Sequence, residues 1–287
     1  MKRWFFFIIT NLLVSITLMI LANIVMAYMG VQAGSYSGLF VFAFFLGLGG
    51  SFFSLMISKF IAKRFMNLEP AAPGSALVQR VHALARKSGL DEMPEVFLFQ
   101  SPEVNAFATG PSRNNALVAV STGLLNRMDD DEVEAVLAHE VSHIANGDMV
   151  TMALVQGIVN TFVIFISYVV SQIVMNAMRG DDDDSRGIGD WFLYNIIHNI
   201  IYTLFSFLSL PLVMYVSRWR EYRADYGAGQ LVGKEKMIRA LEKLKSSTDT
   251  LESHDKSVEV MAISAKSSFA EIFSSHPPLE KRIAALR

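Results

Sequence analysis

His139-Glu140-Val141-Ser142-His143 sets two imidazoles four residues apart, with a carboxylate directly after the first. On a helix both histidines share one face, roughly 6 Å apart along the axis. That separation lets two ring nitrogens meet one metal ion at about 2.0–2.1 Å each. Glu140 lies about 100° round the helix from His139, angled to reach a metal-bound water rather than the metal. The flanks support a helix. Asp129-Asp130-Asp131 can cap free N–H groups and complement the dipole. Val133, Val136, Leu137, Glu140 and Ile144 fall at helical spacing, and Asn146-Gly147-Asp148 reads as the break. The alternative is a pair of packed histidines that match by chance, which the three residue types in register disfavour.

Composition narrows the class. The chain has 287 residues and is 52% hydrophobic, with a mean hydropathy of +0.36, too apolar for an ordinary soluble domain. A net charge of −2 makes no case for a nucleic-acid partner. Cysteine is absent, which removes disulfides, thiolate catalysis and thiolate metal ligands together. Any zinc must be held by His, Asp or Glu.

Residues 4–58 contain no Asp, Glu, Lys or Arg, and the Gly/Ser-rich patch from Gly30 to Gly38 divides them into runs at 4–28 and 39–58. Each is long enough to cross a ~30 Å hydrocarbon core as a helix. The first is too long for the apolar part of a signal peptide and is read as an uncleaved anchor. Uncharged runs at 149–178 and 191–217 supply two further spans. His198 in the last, with Asn195 and Asn199, is read as satisfied by helix packing rather than as a transport site. Lys2 and Arg3, then Lys59, Lys63 and Arg64, then Arg218, Arg220 and Arg223 flank alternate ends of these runs. By the positive-inside rule both termini and both polar segments are cytoplasmic. The resulting order is 1–58, two spans with a short periplasmic turn; 59–148, a catalytic segment; 149–217, two spans with an acidic periplasmic loop; and 218–287, a second catalytic segment.

The two polar segments total about 160 residues, enough for one domain. Glu69 to Gly74 reads as a linker, Ser75 to Ser88 as a helix closed by Gly89, and 95–99, 105–110 and 116–121 as strands. A small sheet followed by the metal helix is α+β architecture. The second segment reads as helices at 218–231, 234–246, 267–274 and 279–287, with a polar loop at 247–266.

A catalytic zinc takes three protein ligands and an open position. Glu221 and Asp225 stand four apart on a predicted helix, on the same membrane side as His139. One carboxylate can bind the ion while the other accepts the far N–H of a ligating imidazole. The alternative is a solvated face where both pair with Arg218, Arg220 and Arg223.

Taken together, His139 to Asp148, Glu221 to Asp225, Asn105-Ala106-Phe107-Ala108-Thr109-Gly110 and His276-Pro277-Pro278 resemble the bacterial inner-membrane branch of the M48 (Ste24-like) zinc peptidases. The resemblance spans the chain. It implies a membrane α-helical protein with four transmembrane helices and a cytoplasmic α+β, zincin-like (gluzincin) metalloprotease domain. It implies one Zn2+ per chain, held by His139, His143 and Glu221, with Asp225 bracing a ligating histidine. Glu140 then acts as general base. It further implies cleavage of misfolded or damaged membrane proteins as quality control and stress response in the bacterial inner membrane. The bilayer, membrane-protein substrates and other membrane quality-control proteases are the expected partners. Asn105 to Ala108 are expected to form an edge strand that pairs with substrate, the alternative being an ordinary hairpin strand. His276 is expected to help stabilise the transition state, the alternative being a loop histidine before a Pro-Pro turn. Arg282 reads equally well as a helix-surface residue. Two rivals remain: a transporter or scaffold, disfavoured by so few spans and no half-helix repeat, and a processing protease for lipid-modified C-termini, which seven or so spans would suit better.

Overall fold

The computed structural model describes residues 2–32, 34–178, 188–252 and 273–287. Most of the expected helix at 267–274 and of the expected loop at 247–266 fall outside these residues; the two described residues of that helix, 273 and 274, are not helical. The chain divides into two compact units, one of Met1–Ser54 with Ala153–Val213 and one of Leu55–Met152 with Met214–Arg287.

In the first unit lie α1 (Lys2–Met29), α2 (Tyr36–Phe44), a π-helical turn at Phe45–Gly49, the start of α3 (Gly50–Phe65), and most of α7 (Asp148–Met178) and α8 (Ile188–Val232). Ser35 caps α2 through its hydroxyl, which accepts from Gly38 N. Among the described residues three helices are long and apolar enough to cross a membrane: Tyr36–Phe65, Asp148–Met178 and Gly189–Val232. The large apolar side chains exposed along them, Phe52, Phe162, Ile200 and Leu208 among others, are what a lipid-facing helix presents. His198 is stacked on Tyr168 with ring centroids 4.3 Å apart, and its Nδ1 stands 3.3 Å from Ser171 Oγ. Asn195 and Asn199 donate to carbonyls one turn back on their own helix. His198 thus packs against the neighbouring helix as expected, whereas the two asparagines bond within their own helix.

The second unit holds a four-stranded sheet in the order β1-β2-β4-β3, from β1 (Glu69–Pro70), β2 (Glu95–Phe99), β3 (Ala106–Ser112) and β4 (Asn115–Ser121). β2 and β4 are parallel; β1·β2 and β3·β4 are antiparallel. The continuous apolar run Ala116 to Val120 explains the central place of β4, because a strand covered on both faces has no polar side. Val118 and Val120 join the main core with Val96, while Leu117 and Ala119 meet Phe97 and Phe99 on the other face. Two expectations are corrected here. Glu69-Pro70 is not linker but an edge strand opposite Leu98 and Phe97; proline is tolerated there because an edge leaves one N–H side unpaired. β3 also runs two residues past Gly110, with an irregularity between Thr109 and Ser112 that takes up Gly110-Pro111.

The main core packs α4 (Ala76–Lys87), α6 (Asp130–Asn146), α9 (Lys234–Glu252) and α10 (Leu279–Leu286) with one face of the sheet, through Val81, Leu137, Ile144, Met237, Leu241 and Ile283. A short α5 (Thr122–Arg127), not anticipated from the sequence, starts at the Ser121 cap. α9 continues to Glu252, beyond the expected end at 246; Leu251 lies seven residues after Leu244, so the helical repeat persists into the polar stretch. The end of α8, Met214 to Val232, is one helix with the run before it.

Candidate metal centre

The sequence places the donors by capping α6 at both ends. Asp129 accepts from Glu132 N while Glu132 returns a bond to Asp129 N, a reciprocal capping box. Gly147 ends the helix at φ 70°, a left-handed conformation that favours glycine. Between these caps His139 and His143 are buried on one face, with Nε2 atoms 3.1 Å apart. Glu221 arrives from α8. Gly227, farther along the same helix, permits the approach, since a Cβ there would stand 2.8 Å from Ser142 Oγ on α6. Glu221 Oε2 lies 3.5 Å from His139 Nε2 and Oε1 lies 3.4 Å from His143 Nε2. Among the described residues these three form the one cluster able to hold a metal, with one donor atom from each within 4.8 Å of the others.

Behind the donors, His139 Nδ1 is 2.9 Å from Asp225 Oδ1 and His143 Nδ1 is 2.6 Å from Asp148 Oδ2. Glu221 and Asp225 are each 1% exposed, so the solvated-face alternative does not hold. Arg282 grips Asp225 with two bonds, Nε to Oδ2 at 2.8 Å and Nη2 to Oδ1 at 2.6 Å, and is itself buried. The surface reading of Arg282 is therefore corrected: a guanidinium is worth burying where a buried carboxylate meets its fork. Arg223 Nη2 lies 3.0 Å from Asp148 Oδ1 and donates to Asn146 O at 2.9 Å. Asp148 and Arg223 are the contacts that sequence reasoning missed. The clue was available: Asp148 follows the helix break five residues after His143.

The electrostatics point to a cation. Burial favours neutral His139, but Asp225 and Glu221 outweigh it and raise its pKa. Burial acts likewise on His143, and Asp148, Glu221 and Glu140 push it up to about 9. Burial would raise Glu221, yet hydrogen bonding to His139, His143 and His276 holds it well below the usual carboxylate range. Such a donor set draws positive charge to the point its lone pairs share. Glu221 Oε2 is buried and accepts no well-directed hydrogen bond, although His276 Nδ1 stands 3.0 Å from it. A metal ion as a further partner for that oxygen fits the residues present.

Glu140 lines a cavity of about 140 Å3 with His139, Glu221, His276 and Arg282. Burial raises its carboxyl pKa, opposed by His139, His143 and a hydrogen bond from the backbone of Ala108. Asn105 and Ala106 border the same cavity. Among the described residues β3 pairs only with β4, so its other side is open. Asn105 O accepts from Ser121 N. Antiparallel pairs alternate, so the main-chain groups of Ala106 and Ala108 turn to the open edge and those of Phe107 turn to β4.

Residues 72–287 match the family model described as Peptidase family M48. The chain belongs to peptidase family M48. Among M48 relatives, the proteases HtpX of Shewanella halifaxensis and Shewanella pealeana are 50% and 49% identical over 292 aligned residues, covering 100% of this chain and 99% of each relative. The crystal structure of S. mikatae Ste24p shares the fold, with a TM-score of 0.67 at 21% identity, covering 100% of this chain and 66% of that one. This M48 chain is a metalloprotease with apolar helices suited to a membrane.

Proposed function

We propose a zinc-dependent membrane endopeptidase in which His139, His143 and Glu221 hold the ion and Glu140 is the general base. The observation that carries this reading is the clustering of those three donors, with His139, Glu221 and Glu140 lining one cavity beside an open strand edge. Zinc, when bound, supplies a Lewis acid that polarises a carbonyl and lowers the pKa of water toward 7. Asp225 orients His139 through Nδ1, leaving Nε2 for the ion. Glu140 takes a proton from the attacking water and returns it to the departing amine. Its elevated pKa, from burial, suits a group that must both accept and release that proton. Ala106 and the carbonyl of Ala108 offer main-chain groups to an extended substrate, with Phe107 between them paired to β4 and Asn105 just before the strand. His276, 64% exposed at the cavity, is placed to donate to the oxyanion as the carbonyl is attacked.

Four transmembrane helices, with α1 as the first, and a cytoplasmic site remain our reading of the charge pattern. The M48 resemblance supports inner-membrane quality control of misfolded membrane proteins under stress. Cleavage of a model membrane protein by the purified full-length chain tests the mechanism. Chelator should abolish it, zinc should restore it, and Glu140→Gln should retain zinc while losing about 100- to 10,000-fold in rate. Undiminished cleavage by that variant would remove Glu140 from the role.

A further inference from the structure

Away from the metal, the tip of the β3–β4 hairpin meets the ends of two apolar spans. Lys59, near the end of the span Tyr36–Phe65, donates to Asn115 Oδ1 at 2.7 Å. Arg113 reaches the Gly147 turn, where the span Asp148–Met178 begins: a Cβ on Gly147 would stand 4.0 Å from Arg113 Cγ. The same turn receives Arg223, whose Nη2 donates to Asn146 O and to Asp148 Oδ1. Two arginines from distant parts of the chain therefore converge on Asn146-Gly147-Asp148, at the mouth of a span.

This turn has more donors than acceptors. Asp148 is taken up by His143 on one oxygen and Arg223 on the other. Arg223 Nε and Asn146 Nδ2 are buried with no hydrogen-bond partner. Arg113 is exposed and makes no hydrogen bond or ion pair with any described residue. The nearby charge of Lys59 is answered by Glu95 at 2.8 Å, which leaves Arg113 as an unanswered cation. Unpaired donors gathered in one place call for an acceptor, and a guanidinium fork matches phosphate oxygens.

A second observation comes from α8. Tyr215, Trp219, Tyr222 and Tyr226 follow one another at spacings of four, three and four, which makes a single stripe along the helix. Tyr215, Trp219 and Tyr226 are 64%, 49% and 59% exposed, whereas Glu221 and Asp225 on the same stretch are buried. Arg223 Cζ lies 4.9 Å from the centre of the Trp219 ring, so the stripe adjoins the arginine pair. Exposed Tyr and Trp at the end of an apolar span sit where hydrocarbon gives way to headgroups. We propose that Arg113, Arg223 and Trp219 form a site for the phosphate of an anionic phospholipid, with the stripe from Tyr215 to Tyr226 lying in the headgroup layer. The phosphate accepts from both guanidinium groups. A zwitterionic lipid brings the same phosphate with a cation attached, which the arginines repel. Arg223 also holds Asp148, so the bound lipid and the brace of His143 share one side chain. The site does not depend on the peptidase mechanism.

Native mass spectrometry of the full-length protein in detergent, titrated with phosphatidylglycerol, phosphatidylcholine or inorganic phosphate, tests it. Phosphatidylglycerol should bind at least about fivefold more tightly than phosphatidylcholine, the scale set by one basic side chain at an anionic surface. Arg113→Gln should remove that preference. Arg113→Lys should restore part of it, because an ammonium keeps the charge but not the fork. Arg127→Gln, which takes the same charge from an exposed position on α5, should leave the preference unchanged. Equal affinity for the two lipids, or equal losses from Arg113→Gln and Arg127→Gln, would overturn the site. Displacement of the lipid by millimolar inorganic phosphate would make it a site for a free anion and overturn the lipid reading. The wild-type comparison decides the question even if the substituted proteins do not fold.

Discussion

His143 and His139 both turn Nε2 toward Glu221 and rest Nδ1 on a buried aspartate that a guanidinium holds in turn. The two braces are built from different reaches of chain. His143 leans on Asp148, five residues on, just past the Gly147 turn, and Arg223 ties that aspartate to the last carbonyl of α6. His139 leans on Asp225, 86 positions farther along by residue number, and Arg282 closes it from the C-terminal helix, 57 residues beyond Asp225. The first brace involves only the end of α6, the residue just past its break and Arg223 on α8. The second needs α10 seated as well, through Ile283 and Leu286. Exposure differs too: the Arg282 side chain is 8% exposed and that of Arg223 is 36% exposed. The same chemistry is thus more deeply buried, and more dependent on the rest of the fold, on the His139 side.

Substitutions should separate the two sides. The largest effect is expected from Arg282→Met, which leaves Asp225 buried without its counter-charge; breaking such a pair costs about 3–5 kcal/mol. Thermal unfolding of the zinc-loaded protein should fall sharply, and zinc content with it. Next come Asp225→Ala and Asp148→Ala, each expected to weaken zinc affinity about 10- to 100-fold in a competitive chelator titration. Arg223→Met should cost less than either, since water can reach and partly replace its guanidinium. If Arg223→Met proved as damaging as Arg282→Met, the contrast in burial would not be what separates the braces.

The smallest expected effect lies away from both, as a control. Burial of Glu95 would raise its carboxyl pKa from 4.5, but Lys59 and Lys63 outweigh burial and lower it. A carboxylate with a lowered folded pKa stabilises above its unfolded value and loses that contribution as pH falls through the folded value. The melting difference between wild type and Glu95→Gln should be small at pH 7, since such exposed pairs contribute little, and should close as the pH drops below 4.5. Zinc affinity should not change. A loss of zinc in Glu95→Gln would show that the sheet edge and the centre are not separable.

The same contrast explains what could be read before any coordinates. The α6 helix, its Asp129 cap and Gly147 break, the Ser75–Gly89 helix and the apolar run of β4 are local patterns, and each formed as read. The Glu221–Asp225 pair was legible as two carboxylates on one face, but its burial was not, because burial comes from α10 packing over it. Arg282 carried no local signal; a lone arginine on a short helix is ordinarily a surface residue. Glu69-Pro70 showed the same limit, since two residues make a strand only when a partner strand lies beside them.

X-ray absorption at the zinc edge, on the zinc-loaded full-length protein and its Glu221→Gln variant, tests most directly that α6 and α8 grip one ion. The expected spectrum has two imidazole nitrogens at about 2.0–2.1 Å with oxygen neighbours, and the oxygen shell changes in the variant. A single imidazole, or a spectrum unaltered by Glu221→Gln, would contradict the account.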